Sequence, residues 1–208
     1  METFQTFSEA RGGQGLTIFD IDKTLFHSDT KVGIKKDGKI IKTLDKFEKY
    51  KLKKGEEFDF GEFKDAKRFA QTASPIGRMI AKAKVIIRNA TKTGSKVIFV
   101  TARADMDDKK LFINTLKAHG LDMSKVYVER AGNLGIDTAK NKSTILKTYL
   151  DSGKYARVRM FDDQHENLKA LLSLKDDYPK IKFEAWKVLP KGSIKTVRWK
   201  NLRHSQNQ

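Results

Sequence analysis

Residues 15–25 read GLTIFDIDKTL, a short apolar run that ends on two carboxylates, Asp20 and Asp22, with one residue between them. Leu16, Ile18 and Phe19 are typical of a buried strand, which places Asp20 at the carboxyl end of that strand. Ligands of an open α/β sheet bind at this end of its strands. The stretch therefore predicts the first strand of such a sheet and the start of a functional site.

The spacing of the two aspartates indicates a particular chemistry. At a strand-to-loop turn, the first carboxylate can face a substrate while the second turns to lie beside it. Asp20 could then act as a nucleophile and Asp22 as a general acid. Two solvated aspartates at the end of a surface strand would give the same pattern, because short motifs recur by chance.

The composition excludes several classes of site. A chain of 208 residues predicts one domain with room for a small inserted one. The absence of cysteine excludes disulfides, thiolate metal ligands and cysteine nucleophiles. Residues 1–15 hold no apolar segment of signal-peptide length, and no run is long enough to span a membrane. We therefore expect a cytoplasmic protein without a membrane partner.

The charge balance is strongly basic. Lysine and arginine number 43 against 26 acids, a formal net charge of +17. Such an excess attracts polyanions, so non-specific nucleic-acid binding through a basic surface is one prediction. A lysine-rich solvated surface without that role is the alternative. The oligomeric state is not predicted by these features.

Changes in composition divide the chain into four parts. They are a flexible lead at 1–14, a core at 15–26 and 76–189, an insertion at 27–75 and a basic tail at 190–208. Within the insertion, residues 31–42 predict a β-hairpin with the pair Asp37-Gly38 at its turn.

Residues after 75 alternate between amphipathic helical patterns and short apolar runs. The runs that predict strands lie at 96–101, 126–128, 158–161 and 181–188. Strands that alternate with helices require right-handed crossovers and form a doubly wound, mainly parallel sheet. With residues 15–19, this predicts an α/β fold with five strands in the sheet.

Polar residues follow two of these strands or begin the next helix. Thr101 ends the strand at 96–101, where its hydroxyl could bind a phosphoryl oxygen or only cap a helix. A lysine at a helix start, Lys140 or Lys142, could reduce the repulsion between a carboxylate and a phosphate, because its ammonium group lies beside both. Lys142 fits the expected helix start better, because it directly precedes the run 143–146.

Two further acids, Asp162 and Asp163, follow the strand at 158–161. Paired acids at the exit of a buried strand are costly unless a cation or a partner neutralises them. Magnesium prefers oxygen ligands and is often held by one or two carboxylates. An N-cap for the following helix is the alternative for one of the two.

The order and placement of these groups resemble the haloacid dehalogenase (HAD) superfamily, whose phosphatases carry Asp-x-Asp-x-Thr as their first motif. The resemblance covers about 16–26 and 76–188, and it implies a HAD-like fold with the insertion as a small cap after the first strand. The whole chain, including Asp-Phe-Gly-Glu-Phe at 59–63, is also similar to uncharacterised phage proteins of this superfamily.

The resemblance implies a role for each matching residue. The residues implied in catalysis are Asp20, Asp22, Thr101 and Lys142. Those implied in substrate binding are Thr24, Ala102, Arg103 and Lys140. The implied ligands of Mg²⁺ are Asp20, the backbone carbonyl of Asp22 and Asp163, with Asp162 and Asn167 in support. Arg103 could instead pair with Asp105 or Asp107.

The implied reaction is hydrolysis of a phosphomonoester through an aspartyl-phosphate on Asp20, with Asp22 as acid and then base. A small cap leaves the site open, which suits a phosphorylated small molecule, a nucleotide or a nucleic-acid phosphate end. In this the chain is similar to the phosphatase half of polynucleotide kinase-phosphatases, without a kinase motif. The phenylalanines at 58, 60 and 63 could stack on bases, although packing of the cap on the core is the favoured expectation. The alternative function is a nucleic-acid-binding or phage interaction protein with little turnover.

Overall fold

The computed structural model describes residues 13–45, 47, 50–135 and 137–198. Most of the expected lead at 1–14 and the end of the expected tail, from 199 onwards, lie outside these residues. None of the described helices combines the length and apolar character needed to cross a membrane.

The described residues form an α/β structure. Its strands are β1 Gln14–Phe19, β2 Phe26–His27, β3 Val32–Lys36, β4 Lys39–Leu44, β5 Glu56–Asp59, β6 Ser74–Pro75, β7 Lys96–Thr101, β8 Val126–Arg130, β9 Tyr155–Asp162, β10 Lys182–Val188 and β11 Ile194–Val197. Its helices are α1 Ala66–Thr72, α2 Gly77–Thr93, α3 Lys109–Ala118, α4 Thr138–Leu150 and α5 His165–Ser173. Short 3-10 turns lie at Gly61–Phe63 and Ala131–Leu134.

The central sheet has the strand order β11-β10-β9-β1-β7-β8. Its first five strands in the chain are parallel, as the alternating pattern predicted, while β11 pairs antiparallel with β10. Because the chain runs from β1 to β7 on one side and later returns to β9 on the other, β1 borders the point where the strand order reverses. Such a switch point opens a crevice at the carboxyl ends of the strands.

The prediction of five strands was wrong by one. The sixth strand, β11, lies inside the stretch that we expected as a tail, and it forms a hairpin with β10 through Gly192, which has φ +78°. Four residues with only Ile194 and Val197 as apolar members give too short a pattern for a strand to be predicted.

Two hydrophobic clusters hold the helices against opposite faces of the sheet. On one face, Phe19 stacks on Phe161 with ring centroids 4.8 Å apart, and buried residues of α2 and α3 cover them. On the other face, Leu16 and Ile18 pack against residues of α4 and α5. Burying one such side chain contributes about 1.5–3 kcal/mol, so β1 is fixed firmly from both sides.

Helix α4 begins earlier than expected. Asp137 caps it by accepting a hydrogen bond from the backbone N–H of Lys140 at 3.0 Å, so the helix starts at Thr138. Lys142 therefore lies one turn inside the helix rather than at its start. At the end of α2, Gly94 adopts φ +69°, the left-handed conformation that commonly ends a helix.

The insertion forms the predicted hairpin from β3 and β4. The two turn residues, Asp37 and Gly38, have φ values of +48° and +78°, as a two-residue hairpin turn requires. A third strand, β5, pairs with the free edge of β3. The insertion leaves the core through β2 and returns through β6, and these two short strands pair with each other.

Candidate active site

The predicted acids meet at the carboxyl edge of the central sheet. Asp20 follows β1, and its backbone N–H donates to the carbonyl of Phe161 on the neighbouring β9 at 3.0 Å. Asp162 ends β9 and Asp163 follows it. Parallel neighbouring strands end at the same edge, so residues far apart in sequence are brought to the switch point beside β1.

Lys142 joins two of these acids. Its Nζ donates to Asp20 Oδ1 at 2.7 Å and to Asp162 Oδ2 at 2.8 Å, and all three side chains are buried. Asn167 Nδ2 donates to both carboxylate oxygens of Asp162. We call Asp20, Asp162 and Asp163 the carboxylate cluster, because one carboxylate oxygen from each lies within 4.8 Å of the others.

The carboxylate cluster holds three acids against the single ammonium group of Lys142, a formal excess of two negative charges. Burial raises the pKa of Asp20 well above its usual value, and Asp162 and Asp163 add to this while Lys142 opposes it. Burial and Asp162 together raise the pKa of Asp163 to about 6. Burial alone would lower the pKa of Lys142, but the two carboxylates outweigh it and raise that pKa.

This excess charge fits a hard divalent cation. Three carboxylates at short range supply the oxygen ligands that such ions prefer. The buried Asn167 Oδ1 has no hydrogen-bond partner among the described residues, so it is a further oxygen donor beside the cluster. A divalent cation would balance the excess and oppose the effect of burial, which raises the pKa values of Asp20 and Asp163.

Asp22 lies in a different environment, although only one residue separates it from Asp20. Arg103 Nε donates to Asp22 Oδ2 at 2.8 Å and Arg103 Nη2 donates to Oδ1 at 2.7 Å, which makes a bidentate pair. Ser28 Oγ donates to the same Oδ1 at 2.7 Å. Burial opposes ionisation, but Arg103 and Ser28 outweigh it and lower the pKa of Asp22.

Arg103 also ties this pair to the insertion. Its Nη2 donates to Thr30 Oγ1 at 2.9 Å and to Ser28 Oγ at 3.2 Å, and its Nη1 donates to the carbonyl of Phe63 at 3.3 Å. The guanidinium lies 4.7 Å from the ring centroid of Phe69. Only 1 % of the surface of Arg103 is exposed, so its guanidinium is enclosed by protein groups.

Arg103 does not pair with Asp105 or Asp107, and its expected part in substrate binding stays a prediction. Asp105 pairs with Arg130 at 3.1 Å, and Asp107 accepts from the backbone N–H of Ala66 at 2.9 Å. Arg103 points instead to Asp22, 81 positions away in the sequence. Both residues lie just beyond the ends of the neighbouring strands β1 and β7, and no periodic pattern predicts which side chains of two such loops meet.

The other residues expected to bind substrate differ in their position relative to the cavity beside the carboxylate cluster. Ala102 lines the cavity beside the carboxylate cluster. Thr24 is fully buried, and its Oγ1 has no partner among the described residues. Lys140 is exposed and lies outside the cavity lining, because two positions along a helix turn its side chain to nearly the opposite face from Lys142.

Thr101 is fully buried at the end of β7. Its Oγ1 accepts a hydrogen bond from the backbone N–H of Arg103 at 3.1 Å. This contact shapes the loop that follows β7. The helix-capping alternative is wrong, because Asp108 caps α3 by accepting from the backbone N–H of Leu111. The hydrogen bond from Arg103 uses an oxygen lone pair of Thr101, so the hydroxyl hydrogen stays available to donate to another group.

A cavity of about 330 Å³ opens at the carboxylate cluster. Sequence reasoning missed several residues in its lining, namely Lys23, Ser28, Thr30, Thr138 and Gln164. Of these, Lys23 carries the clearest signal, because it stands inside the Asp-x-Asp-x-Thr pattern. Its φ of +59° is unusual for a residue with a side chain, and such backbone conformations concentrate at functional sites.

The phenylalanines of the insertion do not pack as we expected. Phe58, Phe60 and Phe63 form a cluster with Phe47, in which neighbouring ring centroids lie 5.4 to 6.2 Å apart. The two hydrophobic clusters of the core are built from other residues. The four rings are half-buried and line cavities beside the carboxylate cluster.

A scan of the sequence against protein-family models found no match, and a search of curated proteins found none either.

Proposed function

We propose that this chain is a phosphomonoester hydrolase of the HAD superfamily that works through an aspartyl-phosphate. The observation that carries the proposal is the position of Asp20. It lies at the carboxyl end of the central strand, 2.7 Å from the buried Nζ of Lys142, and it lines an open cavity. A carboxylate placed there can attack an electrophile in the cavity while the ammonium group offsets the charge of both.

We propose Mg²⁺ as the cofactor, because the carboxylate cluster has the donor set and the charge that this ion requires. Asp20 and Asp163 would hold it with the backbone carbonyl of Asp22, supported by Asp162 and Asn167. When bound, Mg²⁺ supplies positive charge that stabilises the transferring phosphoryl group.

In the first step, a carboxylate oxygen of Asp20 forms a bond to phosphorus and the bond to the leaving oxygen breaks. Asp22 gives its proton to that oxygen. Since Arg103 holds Asp22 ionised, it must loosen its bidentate grip before Asp22 can carry this proton. The hydroxyl of Thr101 and the backbone around Ala102 would donate to the phosphoryl oxygens.

In the second step, water attacks phosphorus and the bond to Asp20 breaks, which restores its carboxylate and releases phosphate. Asp22 takes the proton from this water. The ionised form that Arg103 and Ser28 stabilise is the form needed here, so the resting geometry is already suited to the second step.

We propose a nucleotide or a nucleic-acid phosphate end as the substrate class. The net charge of +17 favours a polyanion, and the aromatic cluster lies beside the proposed phosphate position. The insertion is small, so its cavity can admit the end of a longer chain.

The test is a phosphatase panel with Mg²⁺ that includes nucleoside monophosphates and oligonucleotides with 3′- and 5′-phosphates. We expect phosphate release by the native chain and none by Asp20→Asn. Asp177→Asn is the matched control, because Asp177 is exposed and pairs with Lys147 on the surface. No turnover on any of these substrates would rule out the proposal.

Nucleic-acid binding without turnover is the second candidate. The lowered pKa of Asp22 favours the absence of turnover, because an ionised Asp22 has no proton to give to a leaving group. The net charge of +17 favours the binding. Binding to single strands and duplexes across a salt series tests it. We expect affinity to fall steeply with salt, because released counterions dominate such binding. A flat response to salt would contradict this candidate.

A further inference from the structure

The four phenylalanines Phe47, Phe58, Phe60 and Phe63 carry an inference of their own. Phe60 lies at the centre of the cluster, with its ring centroid 5.4 Å from that of Phe47 and 6.2 Å from that of Phe63. All four rings are half-buried rather than enclosed. Aromatic area that remains open beside a reactive site is available to a ligand.

These rings border two adjoining cavities. The first contains the carboxylate cluster, and the second has a volume of about 380 Å³. Four residues line both of them, namely Phe47, Phe63, Ala102 and Thr138. A ligand with its phosphate at Asp20 can therefore extend directly into the second cavity.

The rest of the second cavity's lining has little side-chain bulk. Ala102, Ala104, Gly132 and Gly135 lie there with the phenylalanines. A Cβ on Gly132 would come within 2.3 Å of the carbonyl oxygen of Ala102 and 2.7 Å of the backbone nitrogen of Ala104. The turn at Ala131–Leu134 thus packs backbone against backbone on the loop after β7. We call the second cavity the aromatic slot, since it combines aromatic rings with small residues.

Besides Thr138, Asn133 and Lys64 supply polar groups to the lining of the aromatic slot. Asn133 Oδ1 accepts a hydrogen bond from the backbone N–H of Asp105 at 2.9 Å, and the Asn133 amide also donates to the Asp105 carboxylate. These contacts orient the amide and leave one Nδ2 hydrogen to donate. Lys64 is exposed and adds a positive charge. The slot therefore offers stacking surface, a hydrogen-bond donor and a cation.

We infer that the aromatic slot binds the nucleobase of a nucleotide whose phosphate lies at the carboxylate cluster. A planar base can stack on the rings, and the small residues opposite leave room for it, while Asn133 can donate to an acceptor on its edge. The position of the phosphate rests on the proposed function. Recognition of the base does not require turnover, so it can be tested separately.

The experiment compares adenosine 5′-monophosphate with ribose 5-phosphate, which lacks the base, by calorimetry on the Asp20→Asn chain. Losing a stacked base weakens binding about tenfold. We therefore expect the nucleotide to bind about tenfold more tightly than the sugar phosphate. Phe60→Leu should abolish most of that difference, because Phe60 lines the slot and not the first cavity.

The control is Phe183→Leu, which changes a half-buried phenylalanine that packs on the core instead. A second variant, Asn133→Ala, leaves the aromatic cluster intact, so the test remains valid if Phe60→Leu does not fold. Equal binding of the two phosphates overturns the inference. A difference that survives both Phe60→Leu and Asn133→Ala overturns it as well.

Adenosine binding to the native chain separates this inference from the proposed function. Binding that Phe60→Leu weakens, in a protein that hydrolyses no phosphomonoester, would support the slot and contradict the phosphatase proposal. Hydrolysis of phosphomonoesters without any preference for compounds with a base would support the phosphatase proposal and contradict the aromatic slot. A 3′-phosphorylated dinucleotide that binds more tightly than the mononucleotide would identify a nucleic-acid end as the source of the base.

Discussion

Asp20 and Asp22 are separated by one residue, yet they belong to two ionic groups of opposite character. Asp20 shares one ammonium group with two other acids, and its pKa is raised. Asp22, whose side chain is 22 % exposed, has a guanidinium and a hydroxyl to itself, and its pKa is lowered. Burial opposes ionisation at both, so the number of partners decides the sign of the shift.

This difference gives the two carboxylates separate properties before any ligand binds. The carboxylate cluster is short of positive charge and suits a cation. The pair of Asp22 with Arg103 is neutral as a whole and is anchored to the insertion through Thr30 and Phe63. One part of the site therefore attracts charge, while the other holds a proton acceptor in place.

The largest expected effect comes from removing the nucleophile. Asp20→Asn keeps the size of the side chain but cannot form the covalent intermediate, so we expect turnover to fall by at least about ten-thousandfold. Single-turnover phosphate release measures this. Asp22→Asn should retain more activity, because it removes only proton transfer. Activity of Asp20→Asn above that of Asp22→Asn would contradict the assigned roles.

The next largest effect is expected from removing the ammonium group of Lys142 from the carboxylate cluster. Lys142→Met leaves the buried carboxylates of Asp20 and Asp162 without their partner, and breaking a buried pair in this way costs about 3–5 kcal/mol. Urea unfolding in metal-free buffer measures the loss. Because the folded-state pKa values of Asp20 and Asp163 are raised, these two acids bind protons more readily when folded, and the loss should be smaller at pH 5 than at pH 7.

Lys140→Met is the matched control for Lys142→Met. Its side chain is exposed, so the free energy of unfolding should change by less than about 0.5 kcal/mol. Equal losses for the two lysines would show that the cluster does not depend on Lys142.

Breaking the second ionic group should cost about 3 kcal/mol. Arg103→Met removes the partner of Asp22 and three hydrogen bonds to the insertion. Since the pKa of Asp22 is lowered, the contribution of the pair is present above the ordinary value of 3.8 and is lost as pH falls through the lower folded value.

The stabilities of the native chain and Arg103→Met should therefore differ at pH 7 and converge below about pH 4. Arg88→Met is the control, because Arg88 is exposed on α2. A difference that stays constant down to pH 3 would show that Arg103 acts through packing rather than through its charge.

Filling the cation site should stabilise the fold. At one hundred times its dissociation constant, Mg²⁺ should raise the free energy of unfolding by about 2.7 kcal/mol. Thermal unfolding with and without the ion measures this gain. Asp163→Asn should reduce it, whereas Asp151→Asn should not, because Asp151 caps the end of α4 away from the cluster.

The smallest expected effect comes from weakening the contact between Arg103 and the insertion while the pair of Arg103 with Asp22 is kept. Thr30→Val removes the hydrogen bond that Thr30 Oγ1 accepts from Arg103 Nη2 and the one that it donates to Ser28 Oγ, and it should cost about 1–2 kcal/mol. The maximal rate should change less than in Arg103→Met, because both hydrogen bonds to Asp22 remain. Equal losses of rate in the two variants would mean that the contact with the insertion controls Asp22.

Local patterns predicted the parts of the site that strands and helices place. Asp20, Thr101 and Asp162 each follow a buried strand, and parallel strands end together, so their proximity followed from the alternation of elements. Lys142 came from an expected helix start that was four residues late. Its side chain still reaches Asp20 and Asp162, because four residues are about one turn of the helix and so leave the side chain on nearly the same face.

The contacts that join distant segments were not predictable in this way. Arg103 reaches Asp22 through a loop, and its other partners belong to the insertion, whose docking no periodic pattern describes. The phenylalanines were expected to pack the insertion on the core because aromatic rings usually bury. They pack mainly on one another, since the insertion has its own small sheet, although the ring of Phe63 also lies 5.3 Å from the guanidinium of Arg103.

The pairing of β2 with β6 has a consequence for how such a protein can diversify. Phe26 lies opposite Pro75 and His27 lies opposite Ser74, so the insertion leaves and re-enters the core at neighbouring points. His27 is also hydrogen-bonded to the carbonyl of Pro190 at 3.0 Å, which fixes the junction to the hairpin of β10 and β11. Longer or shorter segments can be joined there at little entropic cost. The core can therefore keep its strands and the position of Asp20 unchanged while segments of different length are inserted between β2 and β6.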